Sequence, residues 1–96
     1  MQPAVYILAN AKRGTLYTGV TADLKARLWT HTNHLDPDSF SARYNVTRLV
    51  YYEPHASMLA AIQREKQIKG GSRAAKIWLI EQRNRDWRDL SADVNS

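Results

Sequence analysis

The sequence contains no cysteine, which excludes a disulfide framework, a thiolate metal centre and a cysteine nucleophile together. A small domain without such staples suits a reducing cytosol. Acidic residues are also scarce: nine Asp and Glu stand against fourteen Lys and Arg, leaving a formal charge of +5. That imbalance points to a polyanionic partner, above all nucleic acid, although basicity alone also serves solubility. Long apolar runs are missing, so no segment reads as a membrane span. Met1-Gln2-Pro3-Ala4 leads straight into a strand-like segment without a basic, then apolar, leader. No signal peptide is therefore expected, and the reading is cytoplasmic. Several catalytic signatures are absent as well. There is no Gly-rich loop followed by Lys for nucleotide phosphates and no G-x-S-x-G elbow. His31, His34 and His55 do not have zinc-ligand spacing.

What is present fits one domain. Ninety-six residues, 44% of them hydrophobic, can bury a single modest core but not two. The expected organisation is a folded domain over residues 1–90 and a polar tail over 91–96, with Trp87 and Leu90 as apolar anchors before it. Two compact apolar runs, residues 4–9 and 15–20, flank Asn10-Ala11-Lys12-Arg13-Gly14, which reads as a hairpin loop. Alternation along a strand puts Tyr6 with Leu8 and Tyr17 with Gly19. A glycine beside Tyr17 permits close approach of a backbone or ligand.

Thr21 is the expected N-cap of a helix with Asp23 in its first turn. Leu24, Arg27, Leu28, His31 and Leu35 recur along it at helical spacing, so Arg27 and His31 fall on the face expected to turn inward. After Asp36-Pro37-Asp38-Ser39 breaks this helix, Phe40 to Tyr44 can form a short helical turn. Residues 48–53 read as a third strand ended by Pro54, and a second helix is expected from about Ser57 to Lys69. Met58, Leu59, Ala61, Ile62 and Ile68 form its apolar arc, with Glu65 near the centre. Ser72 caps a third helix after Gly70-Gly71.

Charged residues on apolar faces often mark functional sites. Tyr6, Tyr17, Arg27, His31 and Glu65 together supply what a phosphodiester-cleaving site needs: a cation for the phosphate, a carboxylate for a divalent metal, and proton-transfer groups. Each also has a plainer role. Strand tyrosines commonly pack, a lone histidine commonly hydrogen-bonds, and Arg27 with Glu65 would make a structural ion pair. From Arg64 to Lys76 the chain carries Arg64, Lys66, Lys69, Arg73 and Lys76 against Glu65 alone. Those cations, with tyrosines and Trp29 as stacking surfaces, also fit a nucleic-acid binder without chemistry.

Order and spacing discriminate further. Val5-Tyr6-Ile7 followed by Tyr17-Thr18-Gly19, then Gly19-Val20-Thr21 leading to Asp23-Leu24 and Arg27, resembles the GIY-YIG nuclease family. Arg43-Tyr44-Asn45, Leu49-Val50-Tyr51-Tyr52-Glu53, Arg64-Glu65-Lys66-Gln67-Ile68-Lys69 and Trp87-Arg88-Asp89-Leu90 resemble blocks of its small single-domain bacterial branch. The resemblance implies an α+β fold in β-β-α-β-α-α order, a three-stranded antiparallel sheet flanked by helices. It further implies a DNA endonuclease using one Mg²⁺ or Mn²⁺, with little sequence specificity and a role of the DNA repair or recombination kind. Tyr6, Tyr17, Arg27, His31 and Glu65 would be catalytic, Glu65 the metal ligand and Gly19 a structural residue at the site. Lys25, Arg43, Tyr44, Lys66, Lys69, Arg73 and Lys76 would contact DNA. The protein would be a monomer or weak homodimer. The alternative is a nucleic-acid-binding module that keeps the fold without turnover. Departures from the pattern are Val5 for Gly, Thr18 for Ile, Val20 for a lysine of some relatives, Gly70-Gly71-Ser72 for a more basic, Trp-containing stretch, and Arg85 for proline.

Overall fold

Strand β1, Ala4–Ala9, is buried at every position. Its run of apolar and aromatic residues cannot alternate inside with outside, so it needs cover on both faces and both edges. The computed structural model, which describes residues 2–32 and 45–95, supplies that cover. β1 is the centre of a three-stranded antiparallel sheet between β2, Leu16–Thr21, and β3, Arg48–Pro54, in the order β2-β1-β3. Helices α1 (Leu24–Thr32), α2 (Met58–Gly70), α3 (Arg73–Arg83) and α4 (Ser91–Asn95) complete the described fold. This is the expected α+β architecture. The short α4 lies in the stretch read as a polar tail, with Val94 packed on the core.

The period-two alternation of β1 divides the core into two layers. Val5, Ile7 and Ala9 pack with Ala61 and Ile68 of α2, Ile80 of α3 and the fully buried Trp87. Ala4, Tyr6 and Leu8 face the other way, against Leu24 and Leu28 of α1, with Tyr17, Tyr52, Leu90 and Val94 around them. The pairing slips between Ile7 and Leu8, whose partners on β3 are Tyr51 and Leu49, so Val50 is the extra residue of a bulge.

Local chemistry sets the helix ends. Ser57 and Ser72 cap α2 and α3, each side-chain oxygen accepting from the backbone N–H three residues on. At α1 the expectation needs correcting. Thr21 Oγ1 accepts from the Asp23 N–H and thereby makes the turn before the helix. Asp23 is the capping residue, its Oδ1 accepting from the Ala26 N–H. The shorter Thr hydroxyl is consumed two residues too early to serve the helix itself.

The hairpin loop is tied to α3. Arg13, at φ 55°, donates twice to Glu81, at 2.9 and 3.0 Å. The Trp87 indole N–H donates to the same carboxylate at 2.7 Å. Those donors hold the Glu81 carboxyl down at about 2, the Arg13 bonds contributing most. A second network holds β3 to α2. Glu53 accepts from the Tyr51 hydroxyl at 2.6 Å and from Arg64 Nε at 3.0 Å, and His55 Nε2 lies 2.7 Å from it. Burial alone would raise the Glu53 carboxyl, but these hydrogen bonds outweigh it and hold it below the usual range.

Candidate active site

The register of β1 against β2 builds the site. Tyr6 stands directly opposite Gly19, and Leu8 opposite Tyr17, so both tyrosines and the glycine share one face. The ring centroids of Tyr6 and Tyr17 are 6.2 Å apart and their planes tilt by 41°. Gly19 is indispensable to this arrangement because the Tyr6 ring lies across it. A Cβ at position 19 would sit 2.5 Å from Tyr6 Cζ and Oη and 3.0 Å from Tyr17 Cε1. The sequence placed Gly19 beside Tyr17; the tertiary structure shows that the more crowded neighbour is Tyr6, across the strands.

Tyr6 is 1% exposed, whereas Tyr17 is only partly buried. Burial pushes the Tyr6 phenol well above its ordinary value, and neighbouring Tyr17 adds to the shift. Arg27 pulls the other way, and Glu65 again raises it. The ionisation of Tyr6 therefore feels Tyr17, Arg27 and Glu65 at once. These groups come from three separate elements, β2, α1 and α2.

Arg27 does not lie on the inward face that its periodicity implied. The inward stripe of α1 is Leu24 and Leu28, and Arg27 is exposed on its flank. The reason is geometric: at 100° per residue Arg27 lies about 60° from Leu24, at the edge of the apolar stripe. A long cationic side chain there keeps its head in solvent. His31 follows four residues later in the last turn of α1; its side chain lies outside the described residues, as do Arg43, Tyr44 and the turn expected over 40–44.

Glu65 projects from α2 with a side chain 14% exposed, and its ion pair is with Lys69, one turn on, at 3.3 Å. It does not form the Arg27–Glu65 salt bridge that a purely structural reading needs. Among the described residues no three His, Asp or Glu side chains gather as a ready-made metal cage. A single carboxylate such as Glu65 is nonetheless a donor that suits Mg²⁺ or Mn²⁺, which take few protein ligands and complete their shell with water and phosphate oxygens. It does not suit structural zinc.

The other predicted contacts separate spatially. Lys66, Lys69, Arg73 and Lys76 follow one another along the end of α2 and the start of α3. Lys25 lies elsewhere, in a groove with Gln2, Leu24, Tyr52, Pro54 and Val94. Tyr52 was missed by the sequence reading. It is the β3 partner of Tyr6 and packs on the same layer. Alternation alone could not find it, because the bulge at Val50 shifts the faces of β3.

Comparison with known proteins accords with this geometry. A family profile described as the GIY-YIG catalytic domain matches residues 2–78. The chain belongs to the GIY-YIG family. That family is of nuclease type. A UPF0213 protein of Staphylococcus haemolyticus is 40% identical over 83 residues, covering 82% of this chain and 94% of the relative. Another, of Syntrophus aciditrophicus, is 39% identical over 82 residues, with 81% and 88% covered. The solution NMR structure of a UPF0213 protein from Bacillus halodurans matches with a TM-score of 0.58 and 28% identity, covering 94% of each chain. These relatives place the chain in the small single-domain bacterial branch of the GIY-YIG family. No helix among the described residues is long and apolar enough to cross a membrane.

Proposed function

We propose that this GIY-YIG domain is a divalent-metal-dependent DNA endonuclease with little sequence specificity of its own. The observation that carries this reading is the Tyr6–Tyr17 pair packed across Gly19, with the charges of Arg27 and Glu65 both acting on the Tyr6 phenol.

The chain's residues divide the work by their surroundings. The exposed Arg27 guanidinium binds the non-bridging oxygens of the scissile phosphate and neutralises charge that grows there. Tyr6, whose phenol is held protonated by burial, is a hydrogen-bond donor and not a base. Its bond to Tyr17, fixed by contact with Gly19, orients the more accessible Tyr17 hydroxyl. Tyr17 in its phenolate form, or neutral His31, then accepts a proton from the attacking water. The water oxygen bonds to phosphorus, the ester P–O bond breaks, and the departing oxygen takes up a proton from solvent. Glu65 is the residue that would hold the divalent cation; such an ion, when bound, supplies charge neutralisation at phosphoryl and leaving oxygens.

The test is a cleavage panel over single-stranded, branched and duplex DNA with Mg²⁺, Mn²⁺ or EDTA. Metal-dependent products are expected from the unaltered protein. Glu65→Ala and Arg27→Ala are each expected to lower the rate by at least about 10²-fold while circular dichroism stays native. Cleavage by Glu65→Ala at the unaltered rate would sink the mechanism. Binding without products on any substrate would instead favour the non-catalytic module.

A further inference from the structure

On the reverse side of β2 from the tyrosines, Thr15, Leu16 and Thr18 form one wall of a hollow of about 330 Å³, and Arg73 and Lys76 of α3 form the other. We propose that this hollow is a phosphate subsite that grips the substrate strand a short distance from the scissile bond. The inference rests on the nuclease reading for its substrate class, but on separate residues for its argument.

Both cations are positioned before any ligand arrives. Arg73 Nη2 donates to the carbonyls of Arg13, at 2.5 Å, and Gly14, at 2.7 Å. Lys76 Nζ donates to the carbonyls of Gly71, at 3.0 Å, and Lys69, at 3.4 Å. Carbonyl oxygens fix these side chains without cancelling their charge. Among the described residues, neither cation has a carboxylate partner within ion-pair distance. The nearby carboxylates are otherwise engaged: Glu81 takes Arg13 and Trp87, and Glu65 takes Lys69. Two uncompensated, pre-placed cations facing two threonines make a concave site for an oxyanion, with hydroxyls to accept and donate around it.

The path from the catalytic side is short. From Glu65 one helical turn leads to Lys69, whose carbonyl is bonded to Lys76 Nζ at 3.4 Å. With 1.5 Å of rise per residue, the hollow begins roughly 10 Å from Glu65. At about 3.4 Å of axial rise per nucleotide this is a separation of roughly three nucleotides. β2 is the edge strand. A nucleic-acid backbone can thus pass from Arg27 and Tyr17, across that edge beside Lys69, to Arg73 and Lys76. The substrate strand must then extend beyond the scissile phosphate in this direction.

The test is fluorescence anisotropy of a labelled single-stranded oligonucleotide over a salt series in EDTA, where no cleavage can occur. Each phosphate contact contributes about 0.7 to the slope of log K against log salt. Lys76→Gln is expected to flatten the slope by about 0.7, and Arg73→Gln with Lys76→Gln by about 1.4. Lys76→Arg should keep the slope of the unaltered protein. Arg85→Gln, an equal charge change in the turn after α3, should leave it unchanged. Arg73→Gln also removes the hairpin bonds, so Lys76→Gln alone, with its melting temperature checked, decides the matter. An unaltered slope in folded Lys76→Gln, or an equal flattening in Arg85→Gln, overturns the subsite. Cleavage assayed separately with metal judges the nuclease reading, so the two proposals can fail independently.

Discussion

Gly19 shows how much one missing methyl group can decide. Its backbone dihedrals are not in the left-handed region, so conformation does not demand glycine there. Space does, because Tyr6 occupies the volume a Cβ would fill. Gly19→Ala is expected to push the Tyr6 ring out of place, costing about 1–3 kcal/mol of stability as overpacking does. Cleavage should fall far more than that loss explains, since the Tyr6–Tyr17 arrangement would be broken. Chemical denaturation beside the cleavage assay separates the two effects; a fully active, folded Gly19→Ala protein would contradict the role given to Tyr6.

At the scale of elements, the junction of α2 and α3 turns on the pair Gly70-Gly71. Gly70 ends α2 and Gly71 is its C-cap, the Gly71 N–H donating to the Ile68 carbonyl. Neither glycine has positive φ, and a Cβ at Gly70 would meet nothing within 4 Å. The pair is therefore not required by the fold. Gly70→Lys should raise stability by up to about 1 kcal/mol through helix propensity and the favourable position of a cation at a helix C-terminus. It should also tighten oligonucleotide binding and steepen its salt dependence, because Lys69 and Lys76 already hold the neighbouring surface positive. Weakened binding by Gly70→Lys would argue against a nucleic-acid path across this junction.

For the whole molecule, ionisable groups define a pH window of stability. The Glu81 carboxyl is lowered from 4.5 to about 2 by Arg13 and Trp87, so its stabilisation is complete above about pH 4.5 and disappears as pH falls towards 2. Glu53 is shifted in the same direction and adds to the acid loss. Tyr6 and Tyr51 are raised from 10.0, chiefly by burial, so both stay neutral in the native state while the unfolded chain ionises. Stability should therefore also decline as pH rises through 10 and beyond. Melting temperatures across this range should show a plateau bounded by both declines, and Glu81→Gln should flatten the acid limb. An unchanged acid limb in Glu81→Gln would show that the hairpin tether is not what acid breaks.

Much of this protein is written in short-range sequence patterns. Capping, alternation and periodicity, which act over a few residues, sufficed to indicate individual strands and helices, while the resemblance of the ordered sequence blocks to the GIY-YIG family implied the α+β fold. The position of Tyr52 and the reason for Gly19 were decided only by the tertiary structure. Each depends on strand register, on a bulge, or on how one helix lies against another, and those are settled between segments far apart in the chain. The hollow under Arg73 and Lys76 belongs to the same class: its cations are held by carbonyls of a hairpin and of a helix end, and no local pattern could announce that they meet.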